Sequence, residues 1–143
     1  MEHKGKLNGA DIYEDYAHHP TEIAATLDGA RRMGYKKVWC VFQPHTYSRT
    51  AELFEAFAAS LGGADKVVLT DIYSARETNE YGVSSQMLAN AVAGALYLSG
   101  FSDIAAYIGE HAEPDDIVIV MGAGDIYKLS DILVQKQENI CKQ

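Results

Sequence analysis

The sequence has little cysteine, no excess of basic residues and no long apolar run. Its two cysteines, Cys40 and Cys141, cannot build a disulfide framework, which is typical of a reducing, cytoplasmic compartment. There are 12 Lys and Arg against 20 Asp and Glu, and this net charge of −8 disfavours nucleic acid or an anionic membrane as a partner. No run approaches the ~18 apolar residues that can span a bilayer, and no signal peptide follows Met1.

Several catalytic motifs are missing as well. There is no G-x-x-x-x-G-K-[ST] segment, so the chain has no phosphate-binding loop for ATP. No serine lies in a nucleophile elbow. Apart from an Asp-His pair in the first loop below, no residues have metal-ligand spacing. We therefore predict no metal site and no complete catalytic set.

Short β-rich runs alternate with longer helical patterns, which is typical of parallel α/β proteins. The length of 143 residues and the apolar share of 48% suit one domain with its own core. We predict a Rossmann-like, mostly parallel sheet of about six strands with helices on both faces. Asn8-Gly9 is a hairpin signal between Glu2–Leu7 and Ala10–Asp15, which places one antiparallel strand at the edge.

The remaining elements follow from hydrophobic periodicity and from helix start and stop signals. The other predicted strands are Lys37–Phe42, 66–70, 95–98 and Asp116–Met121. The predicted helices are 20–33, 50–61, one capped by Ser84, 102–112, and one from Asp125 to about 135. The polar tail, 136–143, is expected to fray.

Four loops leave the carboxyl ends of predicted strands, where open parallel sheets bind their ligands. They carry three of the five histidines and two of the four arginines. These loops are residues 15–20, 43–49, 71–77 and 122–125. The opposite loops are plain turns, so we predict one functional face.

In the first loop, His18 and His19 open a helix whose N terminus favours anions. They could donate to a phosphate or a carboxylate. In a second interpretation one of them caps the helix and Asp15 only ends its strand. A third makes Asp15 and the histidines metal ligands.

In the second loop, His45 and Arg49 flank a turn into a helix, and an arginine can bind a carboxylate through two parallel hydrogen bonds. In the alternative interpretation Arg49 is a solvated residue at the start of a helix, and Tyr47 only packs on the loop.

The third and fourth loops carry weaker signals. Asp71, Arg76 and Glu77 are either site residues or solvated surface pairs. Gly122 and Gly124 form a lone G-x-G that is weak as a dinucleotide fingerprint and favours a tight strand-to-helix turn. The same glycines would let a ligand approach the backbone.

Three segments resemble the C-terminal domain of Mur ligases: DYAHHPTE at 15–22, QPHxYSR at 43–49 and MGAGDI at 121–126. The resemblance covers nearly the whole chain in the right order, and it is strongest to the members that join L-alanine to UDP-N-acetylmuramate. One residue departs from the pattern, since Thr46 stands where the family usually has arginine.

The resemblance implies that residues 1–143 are a single amino-acid-binding domain of a three-domain, cytoplasmic enzyme of peptidoglycan synthesis. The UDP-binding N-terminal domain and the central ATPase domain are absent from this chain, so we expect Met1 to be an artificial start and the chain to be inactive alone. The implied reaction uses ATP, with Mg²⁺ held mainly by the central domain, to convert the muramate carboxylate to an acyl phosphate. The amine of L-alanine then attacks it. The implied partners are L-alanine, UDP-N-acetylmuramate, ATP and the two other domains.

The resemblance also implies residue roles. Asp15 would bond the ribose of ATP. The alanine and the reaction intermediate would be lined by Tyr16, His18, His19, His45, Tyr47 and Arg49, with Asp71, Gly122 and Gly124 as further candidates. Two other functions stay open: a ligase that recycles a murein tripeptide, which normally lacks QPHxYSR, and a non-catalytic ligand-binding module of flavodoxin-like shape.

Overall fold

A computed structural model describes residues 1–142 of the chain. These residues alternate between strands and helices, as the hydrophobic pattern predicts. The strands are β1 Glu2–Leu7, β2 Ala10–Asp15, β3 Lys37–Phe42, β4 Lys66–Leu69, β5 Leu96–Tyr97 and β6 Asp116–Met121. The helices are α1 Pro20–Arg31, α2 Tyr47–Glu52, α3 Phe54–Leu61, α4 Ser85–Asn90, α5 Phe101–His111 and α6 Tyr127–Cys141. None of these helices is long and apolar enough to cross a membrane.

The six strands form one sheet in the order β1-β2-β6-β3-β4-β5. Every pairing is parallel except the β1–β2 hairpin at the edge. The predicted sheet, including its antiparallel edge strand, is therefore confirmed. Flavodoxin-like sheets place their parallel strands in the order 2-1-3-4-5. Here the first and last parallel strands, β2 and β6, are neighbours, so the flavodoxin-like shape is wrong.

Strand β6 lies in the middle of the sheet and is buried on both faces. All six of its residues are buried, which explains its continuous apolar run. Ile117, Ile119 and Met121 share one core cluster with residues of α1, α3 and α4. Val118 and Val120 share the other with residues of α5 and α6. The prediction of helices on both faces is confirmed.

The predicted helix over 50–61 is wrong, because two helices, α2 and α3, occupy the segment and meet at Leu53. The first begins earlier than predicted, at Tyr47. The hydroxyl of Thr46 accepts a hydrogen bond from the Arg49 N–H and so caps that helix. Smaller differences lie at β4, which ends at Leu69, and at β5, which has only two residues.

The prediction that the chain frays after residue 135 is also wrong, because α6 continues to Cys141. The hairpin stabilises this extension, since the Gln137 side chain accepts a 2.8 Å hydrogen bond from the Asn8 N–H. Residue 143 lies outside the described residues.

The register brings all four loops to one edge of the sheet. Met121 pairs with both Asp15 and Phe42, and Phe42 pairs with Leu69. The strands that precede the four loops therefore end side by side, which confirms that these loops share one face of the domain.

Candidate functional site

Asp15 shapes the first loop at the end of β2. Its Oδ1 accepts a 2.8 Å hydrogen bond from the Ala17 N–H, and its Oδ2 accepts one from the Thr26 hydroxyl at 3.4 Å. Its backbone carbonyl accepts from the Gly122 N–H at 3.1 Å, which ties the first loop to the fourth. Tyr16, the next residue, is 71% exposed and stands free at the rim.

The two neighbouring histidines have different roles. His19 is the N-cap of α1, and its Nδ1 accepts a hydrogen bond from the Thr21 N–H at 3.3 Å. Glu22 completes a capping box by accepting from the N–H groups of His18 and His19. One of the alternatives left open above, a capping histidine, is thus confirmed for His19. Because the backbone donors here are already bonded, an anion near this end would have to be met by side chains.

His18 is directed toward the second loop. Its ring centroid lies 6.0 Å from that of His45 and 5.4 Å from that of Tyr16. Residues from two different strand ends therefore form one cluster of rings, as the sequence predicts.

Glu77, from the third loop, hydrogen-bonds to the first turn of α2, the helix that carries Arg49. Its carboxylate accepts from the Ser48 N–H at 3.0 Å and from the Ser48 hydroxyl at 2.5 Å. These bonds lower the pKa of Glu77 and keep it ionised. Glu77 is therefore part of the site's support, not a solvated surface pair, and it positions Arg49 through α2.

His45 is half-buried, and its Nδ1 is fully buried without a hydrogen-bond partner among the described residues. Burial lowers the pKa of His45, and the positive charges of Arg49 and His18 lower it further, against the opposing effect of Glu77. The ring is consequently neutral at pH 7 and can accept a proton or a hydrogen bond. It stacks on Tyr73, with centroids 5.4 Å apart and an interplanar angle of 24°.

Removing the charge of Arg49 should raise the pKa of His45 toward its usual 6.5. We expect proton NMR titration of the ring in the 143-residue chain to give a higher pKa for Arg49→Gln than for the wild type. Because the pKa of His45 is lower in the folded than in the unfolded chain, its contribution to the free energy of unfolding is present above about pH 6.5 and is lost as the pH falls through the folded pKa. The Arg49→Gln variant should therefore lose less free energy of unfolding than the wild type over this pH range.

The matched control for this titration is Arg32→Gln, because Arg32 is exposed and pairs with Asp28 on α1. It should leave the pKa of His45 unchanged. A wild-type pKa at or above 6.5 for His45 would contradict the prediction.

The two glycines of the fourth loop are required by close packing. Gly122 has a φ of +155°, and a Cβ there would lie 3.0 Å from Ile126 Cγ2. A Cβ on Gly124 would lie 2.6 Å from both Gln43 Oε1 and Tyr73 Cγ. The tight strand-to-helix turn predicted for this loop is thus what the structure shows.

Asp71 and Asp125 face a cavity of about 340 Å³ beside these glycines, which is also lined by Gln43, Tyr73 and Phe101. Asp71 accepts from the hydroxyls of Tyr97 and Ser99, so it is not a solvated pair with Arg76. Asp125 accepts a 2.8 Å bond from the Gln43 side-chain amide.

Two features lie apart from this cavity. Tyr47 lines a separate cleft with Asp71, Ile72 and Val83, so it packs against the third loop. A larger cleft of about 630 Å³ lies between α5 and α6, away from the four loops.

Four participants were not predicted from the sequence: Gln43, Tyr73, Glu77 as a support, and Asp125. For Gln43 and Asp125 a signal was present, because they belong to the QPHxYSR and MGAGDI segments. The residues predicted to meet, His18, His45 and Arg49, do lie together, whereas His19 and Tyr47 take structural positions.

Within residues 1–142, no group of three or more His, Cys, Asp or Glu side chains is arranged to hold a metal ion. We assign no magnesium ligand to these residues.

Curated proteins of known activity resemble this chain over most of its length. UDP-N-acetylmuramate–L-alanine ligase from Alkaliphilus metalliredigens is 49% identical over 136 residues, which cover 93% of this chain and 30% of the relative. The ligase of the same name from Lachnoclostridium phytofermentans is 48% identical, with 95% of this chain and 30% of the relative covered. The chain thus spans about 30% of the length of these relatives.

Solved structures share the fold. UDP-N-acetylmuramate–alanine ligase from Thermotoga maritima superposes with a TM-score of 0.71 at 24% identity, over 98% of this chain and 31% of that one. A domain described as part of a UDP-N-acetylmuramate:L-alanyl-γ-D-glutamyl-meso-diaminopimelate ligase from Haemophilus ducreyi has a TM-score of 0.68 at 28% identity. This match covers 96% of this chain and 98% of that domain.

A family model also matches the chain directly. The model described as Mur ligase, glutamate ligase domain, matches residues 1–124, which include the first three loops of the site and all but the last residue of the fourth. The chain therefore belongs to the Mur ligase family and carries its glutamate ligase domain.

Proposed function

We propose that this chain is the amino-acid-binding domain of a ligase that joins L-alanine to UDP-N-acetylmuramate with consumption of ATP. The observation that carries the proposal is the meeting of His18, His45 and Arg49 at one edge of the sheet. It is supported by 49% identity to a ligase with that name. Such a reaction would supply a peptidoglycan precursor and so serve cell-wall growth, cell shape and cell division.

Arg49 is the residue suited to the carboxylate of alanine. The side chain of alanine is one methyl group, so recognition has to depend on the carboxylate and the amine. A guanidinium can hold a carboxylate through two parallel bonds. The bonds from Ser48 to Glu77 and from the Arg49 N–H to Thr46 hold the helix that presents it.

His45 is suited to the amine. The amine must be unprotonated to attack, and the imidazole of His45, kept neutral by burial and by the Arg49 charge that lower its pKa, can accept its proton. In the whole enzyme, ATP supplies the phosphoryl group that activates the muramate carboxylate as an acyl phosphate. Attack of the amine on that carbon gives a tetrahedral species, which then expels phosphate.

Asp15 would face the nucleotide. A carboxylate has about four acceptor sites. Two hydrogen bonds and the amino group of Met1, 3.4 Å from Oδ2, occupy up to three of them, which leaves acceptor capacity for a ribose hydroxyl. Tyr16 is exposed beside His18 and would line the site of the alanine and the intermediate. His19 and Tyr47 would support that site through α1 and the third loop, and Asp71, Gly122 and Gly124 would shape its walls. Closure of this face on the other two domains would exclude water from the acyl phosphate.

The intact second loop favours alanine ligation over recycling of a murein tripeptide. The last three residues of its QPHxYSR segment begin α2, and Arg49 on that helix lies close enough to His45 to lower the pKa of its ring, which supports a shared site. The non-catalytic module is disfavoured because burial and then the Arg49 charge lower the pKa of His45, and a neutral imidazole beside an arginine suits acid–base chemistry.

The proposal is tested by measuring phosphate release with UDP-N-acetylmuramate, ATP and either L-alanine or the tripeptide. We expect the full-length ligase that carries this chain to use L-alanine, and the 143-residue chain alone to release no phosphate, because it has no phosphate-binding loop. Preference for the tripeptide would assign the chain to the recycling ligases. Phosphate release by the chain alone, abolished by Asp15→Ala, would contradict the proposal that ATP is used only when the central domain is present.

A further inference from the structure

The backbone of Tyr73 is paired with the second loop. Its N–H donates to the Pro44 carbonyl at 2.9 Å, and its carbonyl accepts from the Thr46 N–H at 2.8 Å. These two bonds pair the third loop with the second. The Tyr73 ring, 38% exposed, stacks on His45 from this anchored position.

The same ring borders the cavity of about 340 Å³ described above. It also packs on Gly124, where even a methyl group would collide with it. Tyr73 thus contacts His45 of the proposed alanine site and lines the cavity as well. The lining includes two carboxylates, those of Asp71 and Asp125, and no basic side chain. The N terminus of α5, at Phe101, is the one positive dipole beside them.

We propose that the ring of Tyr73 separates the amino-acid site from this acidic cavity and so restricts the enzyme to amino acids with very small side chains. The inference rests on the proposed function, since it takes His45 and Arg49 as the site of the amino acid. An aromatic wall excludes longer side chains by collision. One methylene in an apolar pocket changes kcat/KM by about 10- to 200-fold.

The test replaces Tyr73 with alanine in the full-length ligase and measures kcat/KM for L-alanine and for L-norvaline, whose side chain is two methylenes longer. We expect the norvaline-to-alanine ratio to rise about tenfold or more, because the side chain can enter the cavity. Tyr73→Leu, which retains part of the bulk, should give an intermediate ratio and covers the case in which the alanine variant does not fold. Tyr73→Phe should keep the wild-type ratio, since the ring is retained.

Tyr81→Ala is the matched control. It removes a tyrosine ring from the same connection between β4 and α4, and Tyr81 is 55% exposed and lines different clefts. Its norvaline-to-alanine ratio should equal that of the wild type. An equal rise in the control would show general loosening of the loop and overturn the inference.

The charge of the cavity gives a second readout. L-ornithine and L-glutamate have side chains of similar length and opposite charge. In Tyr73→Ala, the gain for ornithine should exceed the gain for glutamate, because Asp71 and Asp125 would meet the ammonium group. Equal gains would overturn the assignment of this cavity as the space behind the ring.

The experiment separates the two proposals. A wild-type enzyme that does not ligate L-alanine refutes the proposed function. A wild-type enzyme that does, combined with an unchanged norvaline-to-alanine ratio in both Tyr73→Ala and Tyr73→Leu, refutes the role of Tyr73 alone.

Discussion

Replacing Arg49 with alanine should lower kcat/KM for L-alanine by about ten- to a hundredfold in the full-length ligase. A hydrogen bond to a charged group contributes roughly 1.5–3 kcal/mol, which corresponds to a loss of this size. Thr46, which stands where the family usually has a second arginine, uses its hydroxyl to cap α2. We therefore expect binding of the carboxylate to depend on Arg49 to an unusual degree.

Steady-state kinetics for each substrate in turn would check this result. Arg49→Lys should recover only part of the activity, because an ammonium group is a point charge and lacks the planar fork. The loss should concentrate on L-alanine and largely spare UDP-N-acetylmuramate, and Arg32→Ala should cost nothing. Equal losses for all three substrates would indicate a role in domain closure, and no loss would mean that Arg49 is a solvated surface residue.

Gly124→Ala should impair both stability and alanine use. The new methyl group would lie 2.6 Å from Tyr73 Cγ and from Gln43 Oε1, so the tyrosine ring has to shift from its position. Overpacking of this kind costs about 1–3 kcal/mol. Because the shift disturbs the stack of Tyr73 on His45, we also expect kcat/KM for L-alanine to fall by about tenfold, equivalent to roughly 1.4 kcal/mol. Urea unfolding of the chain and kinetics of the full-length ligase would measure the two effects.

The chain offers a matched glycine for comparison. Gly29 lies within α1, and a Cβ added there meets no atom within 4 Å. Gly29→Ala should raise the free energy of unfolding by about 0.5–1 kcal/mol through helix propensity and leave the kinetics unchanged. Wild-type stability and activity in Gly124→Ala would refute the packing argument.

The sheet could be predicted from the sequence because local pattern and global fold agree there. The apolar run of β6 needs cover on both faces, and Asn8-Gly9 permits the two positive φ values that its hairpin turn requires. The break at Leu53 could not be predicted, because apolar residues continue at helical spacing across it. The length of α6 depends on its contact with Asn8, which is distant in sequence.

The part of the site that lies within the sequence motifs could be predicted. His18, His45 and Arg49 follow strand ends, and parallel strands bring such ends together. Tyr73 and Glu77 lie in an irregular connection without periodicity, so no local rule predicts that one stacks on His45 and the other bonds Ser48. Which of His18 and His19 caps α1 depends on where the helix begins, and a sequence defines that position only within a few residues.

The position of β6 also determines when the domain can form during synthesis. Its residues are translated after every other strand of the sheet, yet they pair with Ile12 on one side and Trp39 on the other. Until Met121 has left the ribosome, the hairpin has no parallel neighbour, and the apolar faces of β2 and β3 lack their common partner. Such long-range pairing slows folding and leaves strand edges open to other chains. A nascent chain of this domain would therefore remain prone to aggregation until β6, Asp116–Met121, has been synthesised.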